Sequence, residues 1–175
     1  QNLVGEENAG WTCAKYLLTY ERTNIAGVGF SVAALARLKK IAARQTRNGK
    51  PLLDDPTFAA RLARVEIDLE NMKTTNLRVI AAVAGGGVPG AESSMLKIRG
   101  TEIRQEITSL ARRAMGVHAR PFSQDMLDAD YQGQPFGPDF AAAAAAQYFN
   151  NRKLSIFGGS NEIQKNIISK MILGL

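Results

Sequence analysis

The segment at residues 157–164 combines a tight backbone turn with the expected start of a helix. Gly158 and Gly159 allow the backbone to turn tightly and to approach a ligand closely. Ser160 or Asn161 can then cap a helix whose apolar residues recur at helical spacing. Such a helix N-terminus carries N–H groups without helical partners and the positive end of the helix dipole, which suit an anionic or hydrogen-bond-accepting ligand group. On these residues alone, an ordinary turn remains the more common explanation.

Apolar periodicity predicts the helices that must position this turn. A first helical pattern covers residues 11–44, with an irregularity near Thr23 and Asn24, and a second long helix opens at Pro56 after two aspartates. A third helix is predicted at residues 91–115, after a glycine-rich turn that lacks the Gly-Lys-Ser/Thr of a phosphate loop. Alanine-rich residues head a further helix that ends near Lys153, and the terminal helix follows the 158–159 turn.

Strand-like alternation is absent from the sequence pattern, so the predicted fold is all-α. We expect an up-and-down helical bundle of about four to five helices. Residues 1–10 are expected to be an extended segment that leads into it, and residues 11–175 to form the bundle domain. The longest irregular stretch is predicted between Gly116 and Pro138, where glycines and prolines cluster.

Composition limits the class of protein. The chain has 175 residues, of which 45% are apolar and 22% charged, as expected of a folded globular domain. Cys13 is the single cysteine, and no apolar run approaches the ~18 residues of a membrane span, so we expect a soluble, reducing, cytoplasmic location. The net charge of +6 is spread along the chain, which disfavours nucleic-acid binding and suits a phosphate-bearing small molecule. The single histidine, His118, has no partners in a metal-binding pattern, so no metal site is predicted.

The last residues of the chain resemble the C-terminal signature of acyl-CoA dehydrogenases. That signature is an aromatic residue, Glu or Gly, Gly, Thr or Ser, two variable residues, then Ile-Gln, as at residues 157–164. Residues 4–11 are similar to the stretch that leaves the family's middle β-domain, and residues 18–22 to part of its next long helix. The resemblance covers most of this chain but only the C-terminal portion of a full-length member. It implies that residues 1–10 come from a β-domain and that residues 11–175 form the C-terminal helical domain.

The resemblance also implies a reaction. Family members oxidise an acyl-CoA thioester: a carboxylate removes the α proton while a hydride passes from the β carbon to FAD. In medium-chain-type members the base is a Glu at the position of Gly158, which has no side chain. In isovaleryl-type and long-chain-type members it belongs to a Glu-Arg pair on the long helix, which Glu21 and Arg22 resemble. Glu21 is therefore the expected base, and Arg22 the expected partner of the CoA moiety or a structural ion pair. Without the resemblance, a solvated pair of helix charges is the better interpretation.

Further binding roles follow from the same resemblance. The backbone N–H of Gly158, with Gly159 beside it, is expected to hold the substrate's thioester oxygen. Ser160, Asn161 and Glu162 are expected to contact FAD, with simple helix capping as the alternative for Ser160 and Asn161.

Two further cofactor elements of the family are altered in this chain. The Arg-x-x-Phe-Gly element aligns with residues 45–49, where Gln45 and Asn48 replace the arginine and the aromatic residue. Arg44 or Arg47 could supply the missing cation. The Gln-x-x-Gly-Gly element aligns with residues 113–117 and keeps one glycine, Gly116.

Three hypotheses for function follow. The first is the C-terminal domain of a flavin-dependent acyl-CoA dehydrogenase, inactive as an isolated fragment, which passes electrons to electron-transfer flavoprotein or a similar acceptor. The second is a non-catalytic oligomerisation subunit or domain of the same fold. Either would assemble as a homo- or hetero-oligomer. The third is an unrelated helical bundle that serves as a binding module.

Overall fold

The structure, a computed structural model, describes residues 2–21, 24, 26–138 and 140–175. Almost all regular structure in these ranges is helical, so the predicted all-α bundle is confirmed. The described residues form six α-helices: α1 Gly10–Glu21, α2 Val28–Arg44, α3 Pro56–Ala84, α4 Ala91–Ala114, α5 Ala142–Asn150 and α6 Asn161–Ile168.

The first predicted helical pattern is divided into two helices. α1 ends at Glu21, and α2 begins at Val28, directly after Gly27 in the left-handed conformation with φ of 61°. Thr23, one of the two residues where the pattern was irregular, lies outside the described residues. The division explains why the structure has one helix more than the sequence predicts.

A small hairpin that the sequence did not predict connects α2 to α3. Its strands, β1 Thr46–Arg47 and β2 Lys50–Pro51, pair in antiparallel fashion. Asn48 and Gly49 form the connection with φ of 52° and 75°, the positive values that a tight two-residue hairpin turn requires. Strands this short cannot show an alternating pattern in the sequence.

Capping explains the start of α3. The carboxylate oxygen Oδ1 of Asp55 accepts hydrogen bonds from the backbone N–H groups of Thr57, at 2.9 Å, and Phe58, at 3.1 Å. Pro56 follows at the first helical position, where its missing N–H costs nothing. Local chemistry therefore fixes this helix start where the sequence predicts it.

α4 lies at the centre of the bundle and packs against α2, α3, α5 and α6. Its buried face meets the apolar faces of α2 and α3, which supply much of the core. The buried core includes Leu35, Leu38, Leu62, Val65, Leu69, Met72, Leu96, Ile103, Ile107 and Leu110. Because α4 contacts both α2 and α6, it connects the segment after Glu21 to the start of the terminal helix.

The C-terminal part departs from regular α-helix at two places. α5 ends at Asn150 and continues as the 3-10 helix Asn151–Ser155, which extends past the predicted end at Lys153. α6 continues as the π-helix Ser169–Leu173. Within the described ranges, no helix is both long and apolar enough to cross a bilayer.

Candidate functional site

The backbone at residues 158 and 159 adopts a conformation that favours glycine. Gly158 and Gly159 have φ of 66° and 81°, in the left-handed region that other residues rarely enter. Ser160 is the N-cap of α6, and its Oγ accepts a hydrogen bond from the backbone N–H of Ile163 at 3.3 Å. Of the two predicted caps, Ser160 is therefore the one used.

Backbone donors remain available at this turn. The N–H groups of Gly158 and Gly159 donate to no other residue in the part of the chain that the structure describes. The carbonyl oxygen of Gly158 accepts a hydrogen bond from Nε2 of Gln164 at 3.0 Å. A trans peptide directs its C=O and N–H to opposite sides, so the N–H of Gly159 points away from the Gln164 amide. The turn thus offers two unpaired N–H groups, of which that of Gly159 points to the side opposite Gln164.

Gln164 fills the space beneath the turn. Its side chain is buried, and a Cβ placed on Gly159 would lie 2.5 Å from the Gln164 Nε2. The Oε1 of Gln164 is buried and has no hydrogen-bond partner among the described residues. Close packing and φ therefore both disfavour a side chain at Gly159.

A buried lysine reaches the same turn from α4. Lys97 is only 1% exposed, and its Nζ donates a hydrogen bond to Oδ1 of Asn161 at 2.9 Å. Thr101 packs beside it and donates from Oγ1 to the carbonyl oxygens of Lys97, at 2.9 Å, and Leu154, at 3.1 Å. The Asn161 side chain is thus engaged with α4, so its backbone N–H is the group that remains for a ligand.

Charge at the turn is partly balanced. Burial lowers the pKa of Lys97, while the carboxylate of Glu162 opposes that shift. The pKa of Glu162 lies below its usual value, mainly because its own backbone N–H and then the Ser160 hydroxyl donate hydrogen bonds to the carboxylate. Desolvation raises this pKa, whereas the positive charges of Lys165 and Lys97 lower it further. Glu162 therefore favours its ionised form.

Glu21 occupies the last position of α1, and its side chain is exposed. Its carboxylate forms no hydrogen bond or ion pair within the described ranges, and none connects it to the 158–161 turn. Arg22, the predicted partner of the CoA moiety, lies outside the described residues.

A cavity of about 470 Å³ lies at the N-terminal end of α2, which supplies most of its lining together with Asn24 and Asn76. The Oδ1 of Asn76 is buried and, among described residues, unpaired.

The two candidate arginines differ in their contacts. Nη1 of Arg47 donates to Oδ2 of the capping residue Asp55 at 2.9 Å, so this guanidinium is already paired. Arg44 is exposed at the end of α2, and no hydrogen bond or ion pair from it to another described residue is present. Neither arginine is bonded to the 158–161 turn.

No group of three or more His, Cys, Asp or Glu side chains suited to a metal ion occurs within the described residues.

Sequence reasoning missed Lys97 as part of this site and gave Gln164 no role. A lysine in a helix is usually solvated, so its type gives no warning of burial. One signal was available: Ser93, Gly100 and Thr101 are small residues at helical spacing around Lys97, which indicates a closely packed second face of α4. Ser93 and Thr101 are indeed buried.

Comparison with known proteins gives a consistent result. The family model for the acyl-CoA dehydrogenase C-terminal domain matches residues 8–173. Two Mycobacterium tuberculosis proteins are each 29% identical over 99% of this chain: acyl-CoA dehydrogenase FadE26, of which 42% is covered, and acyl-CoA dehydrogenase IpdE1, of which 40% is covered. A chain of the solved ChsE4-ChsE5 complex from Mycobacterium tuberculosis is 28% identical with a TM-score of 0.74, over 98% of this chain and 42% of that one. The present chain thus spans about two fifths of the length of these relatives.

Proposed function

This chain belongs to the acyl-CoA dehydrogenase family, whose C-terminal domain it matches, and on that premise we propose that it works within a flavin-dependent enzyme. The proposed reaction is the α,β-dehydrogenation of an acyl-CoA thioester. The observation that carries the proposal is the 158–161 turn, where the N–H groups of Gly158 and Gly159 are unpaired among the described residues at the start of α6, and the N–H of Gly159 points away from the buried Gln164. Residues 1–10 would connect this domain to a preceding β-domain.

The turn fits the oxygen-rich groups of FAD and of a thioester. Backbone N–H groups at the start of a helix bind phosphate, carbonyl and hydroxyl oxygens without a specific side chain. Gly158 and Gly159 would hold the thioester oxygen, and Ser160, Asn161 and Glu162 would lie against FAD. When bound, FAD supplies the acceptor of the hydride from the β carbon. The negative charge of Glu162 is compatible with FAD because Lys97 and Lys165 lie close enough to act on it.

Glu21 is the proposed base that removes the α proton. Gly158 has no side chain, and Glu162, the carboxylate within the turn, is a poor base because its pKa is lowered. Glu21 forms no ion pair within the described residues and is free to accept a proton. Its exposure in this domain means that the rest of the protein must exclude water from it. We therefore expect residues 1–175 to be inactive on their own.

Two arginines complete the proposed binding roles. Arg44 is favoured over Arg47 for contact with FAD, because Arg47 is paired with Asp55 while Arg44 has no partner among the described residues. Arg22 would interact with the CoA moiety.

Assembly with a second chain is part of the proposal. The similar chain of known structure belongs to the ChsE4-ChsE5 complex, which supports a homo- or hetero-oligomer here. Reduced flavin in the assembled enzyme would pass its electrons to electron-transfer flavoprotein or a similar acceptor.

Glu21→Gln in the full-length protein tests the base assignment. The variant should retain FAD but lose dehydrogenation of every acyl-CoA that the wild type oxidises, by about 100- to 10,000-fold. Glu70→Gln, which alters an exposed carboxylate on α3 paired with Lys73, is the matched control and should keep full turnover. Undiminished turnover by Glu21→Gln would show that another group is the base.

The altered cofactor elements favour a second candidate, a non-catalytic assembly subunit. Gln45, Asn48 and Arg113 stand where the family signature has arginine, an aromatic residue and glutamine. Counting flavin per chain in the purified assembly distinguishes the two functions. A chain that joins a flavin-containing partner but binds no FAD, and whose Glu21→Gln variant leaves the complex fully active, would be such a subunit. A chain that neither binds FAD nor assembles would fit a separate binding module.

A further inference from the structure

Lys97 carries a positive charge at an unfavourable position. Among the described residues it is the largest side chain that is fully buried, and Asn161 is the hydrogen-bond partner of its ammonium there. Removing a charge from water is costly, and an apolar side chain of similar volume often stabilises a fold as well or better. Core packing alone therefore does not explain a lysine here.

The helix dipole adds to this cost. Lys97 reaches Asn161, the first residue of α6, where the positive end of the helix lies. Cations are disfavoured at helix N-termini, and anions are favoured there. The exposed carboxylate of Glu162 offsets the charge only in part, because water screens it.

Lys97 has a geometric role, because it ties α4 to the start of α6. Its bond to Oδ1 of Asn161 fixes the first residue of α6 against α4, while Gln164 fixes the carbonyl oxygen of Gly158 from below. The turn between these two bonds is the segment with unpaired N–H groups. Donors that are held in place before a ligand arrives bind it more tightly, because no ordering cost is paid on binding.

We infer that Lys97 is a positioning residue of the cofactor site, which holds the 158–161 turn in its FAD-binding conformation through the hydrogen bond to Asn161. The inference rests on the proposed function, since it concerns the same turn. Lys97 acts through Asn161 and does not itself touch the cofactor.

Lys97→Met in the full-length protein tests this role, because methionine keeps most of the unbranched stem and removes the ammonium. The dissociation constant for FAD, measured from the quenching of flavin fluorescence, should rise about tenfold, and the visible absorption spectrum of bound flavin should shift. Lys170→Met is the matched control, because this exposed lysine of the π-helix after α6 forms no hydrogen bond or ion pair with the 158–161 turn, and it should change the constant less than twofold. Melting temperatures of the FAD-free proteins show whether a weaker affinity merely follows from a weaker fold.

A double-mutant cycle identifies the path of the effect. Asn161→Ala should weaken FAD binding as much as Lys97→Met, and the double variant should be no weaker than either single variant, because both remove one interaction. The inference would be overturned if the losses of FAD affinity from the two substitutions multiplied in the double variant. It would also be overturned if either single variant bound FAD with wild-type affinity. If Lys97→Met fails to fold, Asn161→Ala and Asn161→Asp decide together, because aspartate at this half-buried position keeps the oxygen that accepts from Lys97 and should preserve the affinity that alanine loses. A wild-type protein that binds no FAD would overturn the proposed function together with this inference, whereas wild-type binding with unaffected variants would overturn only the inference.

Discussion

Gly100 of α4 lies in direct contact with Ala26, in the segment between α1 and α2. A Cβ placed on Gly100 would lie 2.7 Å from the Cα of Ala26 and still closer to its carbonyl oxygen. Backbone atoms cannot move aside as the end of a flexible side chain can, so glycine is required for α4 to approach this closely. The contact places Ala26, which follows the proposed base Glu21 in the chain, against the central helix.

Gly100→Ala should therefore destabilise the full-length protein by about 1–3 kcal/mol, through overpacking against Ala26. Gly29→Ala is the matched control, since a Cβ there meets no atom within 4 Å and alanine favours helix. Urea unfolding checks both variants, with Gly29→Ala expected to be neutral or slightly stabilising. Equal stability of the two variants would mean that the segment at Ala26 relaxes freely.

Gly159→Ala should destabilise the protein for two reasons. The left-handed φ of 81° costs an alanine about 1–2 kcal/mol, and the new Cβ would displace the Gln164 amide. Gly49→Ala separates the two causes, because Gly49 has a similar φ of 75° but no atom within 4 Å of a Cβ. Thermal unfolding should show a larger loss for Gly159→Ala than for Gly49→Ala. Losses of the same size would indicate that Gln164 moves without cost.

Asp55→Asn should reveal how much of the stability depends on charge. The bonds from the backbone N–H of Phe58 and from Arg47 hold the pKa of Asp55 below its usual value, against desolvation. A carboxyl with a lowered folded pKa contributes stability that is present above its unfolded pKa and is lost as the pH falls through the folded pKa. Asparagine keeps the capping oxygen, so the melting-temperature difference from wild type should be present near neutral pH and vanish in acid. A difference that stays constant across pH would contradict this origin, and Asp55→Ala should be worse than Asp55→Asn throughout.

Tyr148 connects α4 to the 3-10 helix after α5 through its ring. The guanidinium carbons of Arg112 and Arg152 each lie 4.5 Å from the ring centroid. Replacing the ring by leucine should cost about 1–2 kcal/mol of unfolding free energy, because both cation–π contacts are lost. Tyr148→Phe keeps the ring and should be close to wild type in a denaturant titration. If phenylalanine proved as damaging as leucine, the hydroxyl and not the ring would be the stabilising group.

The sequence predicts best those features that depend on neighbouring residues. Asp55 and Pro56 mark the start of α3, and Gly158, Gly159 and Ser160 mark the turn and its cap, because each signal is complete within a few residues. Features set by contacts distant in the chain were not predictable. The burial of Lys97 depends on α6, and the approach of Gly100 depends on Ala26, neither of which has a local signature. The β1–β2 hairpin was missed for another reason, its short strands. The assignments of Glu21, Arg22 and Arg44 stay predictions.

Lys97, Gly100 and Thr101 follow one another at helical spacing, so they share one face of α4. Through them a single rigid helix touches the start of α6, the backbone beyond Glu21 and the carbonyl oxygen of Leu154. A small rotation of α4 about its axis would displace all three regions at once. We therefore expect these positions to have changed together during evolution, as a set of compensating substitutions, because a change at one would alter the packing of α4 against all three regions.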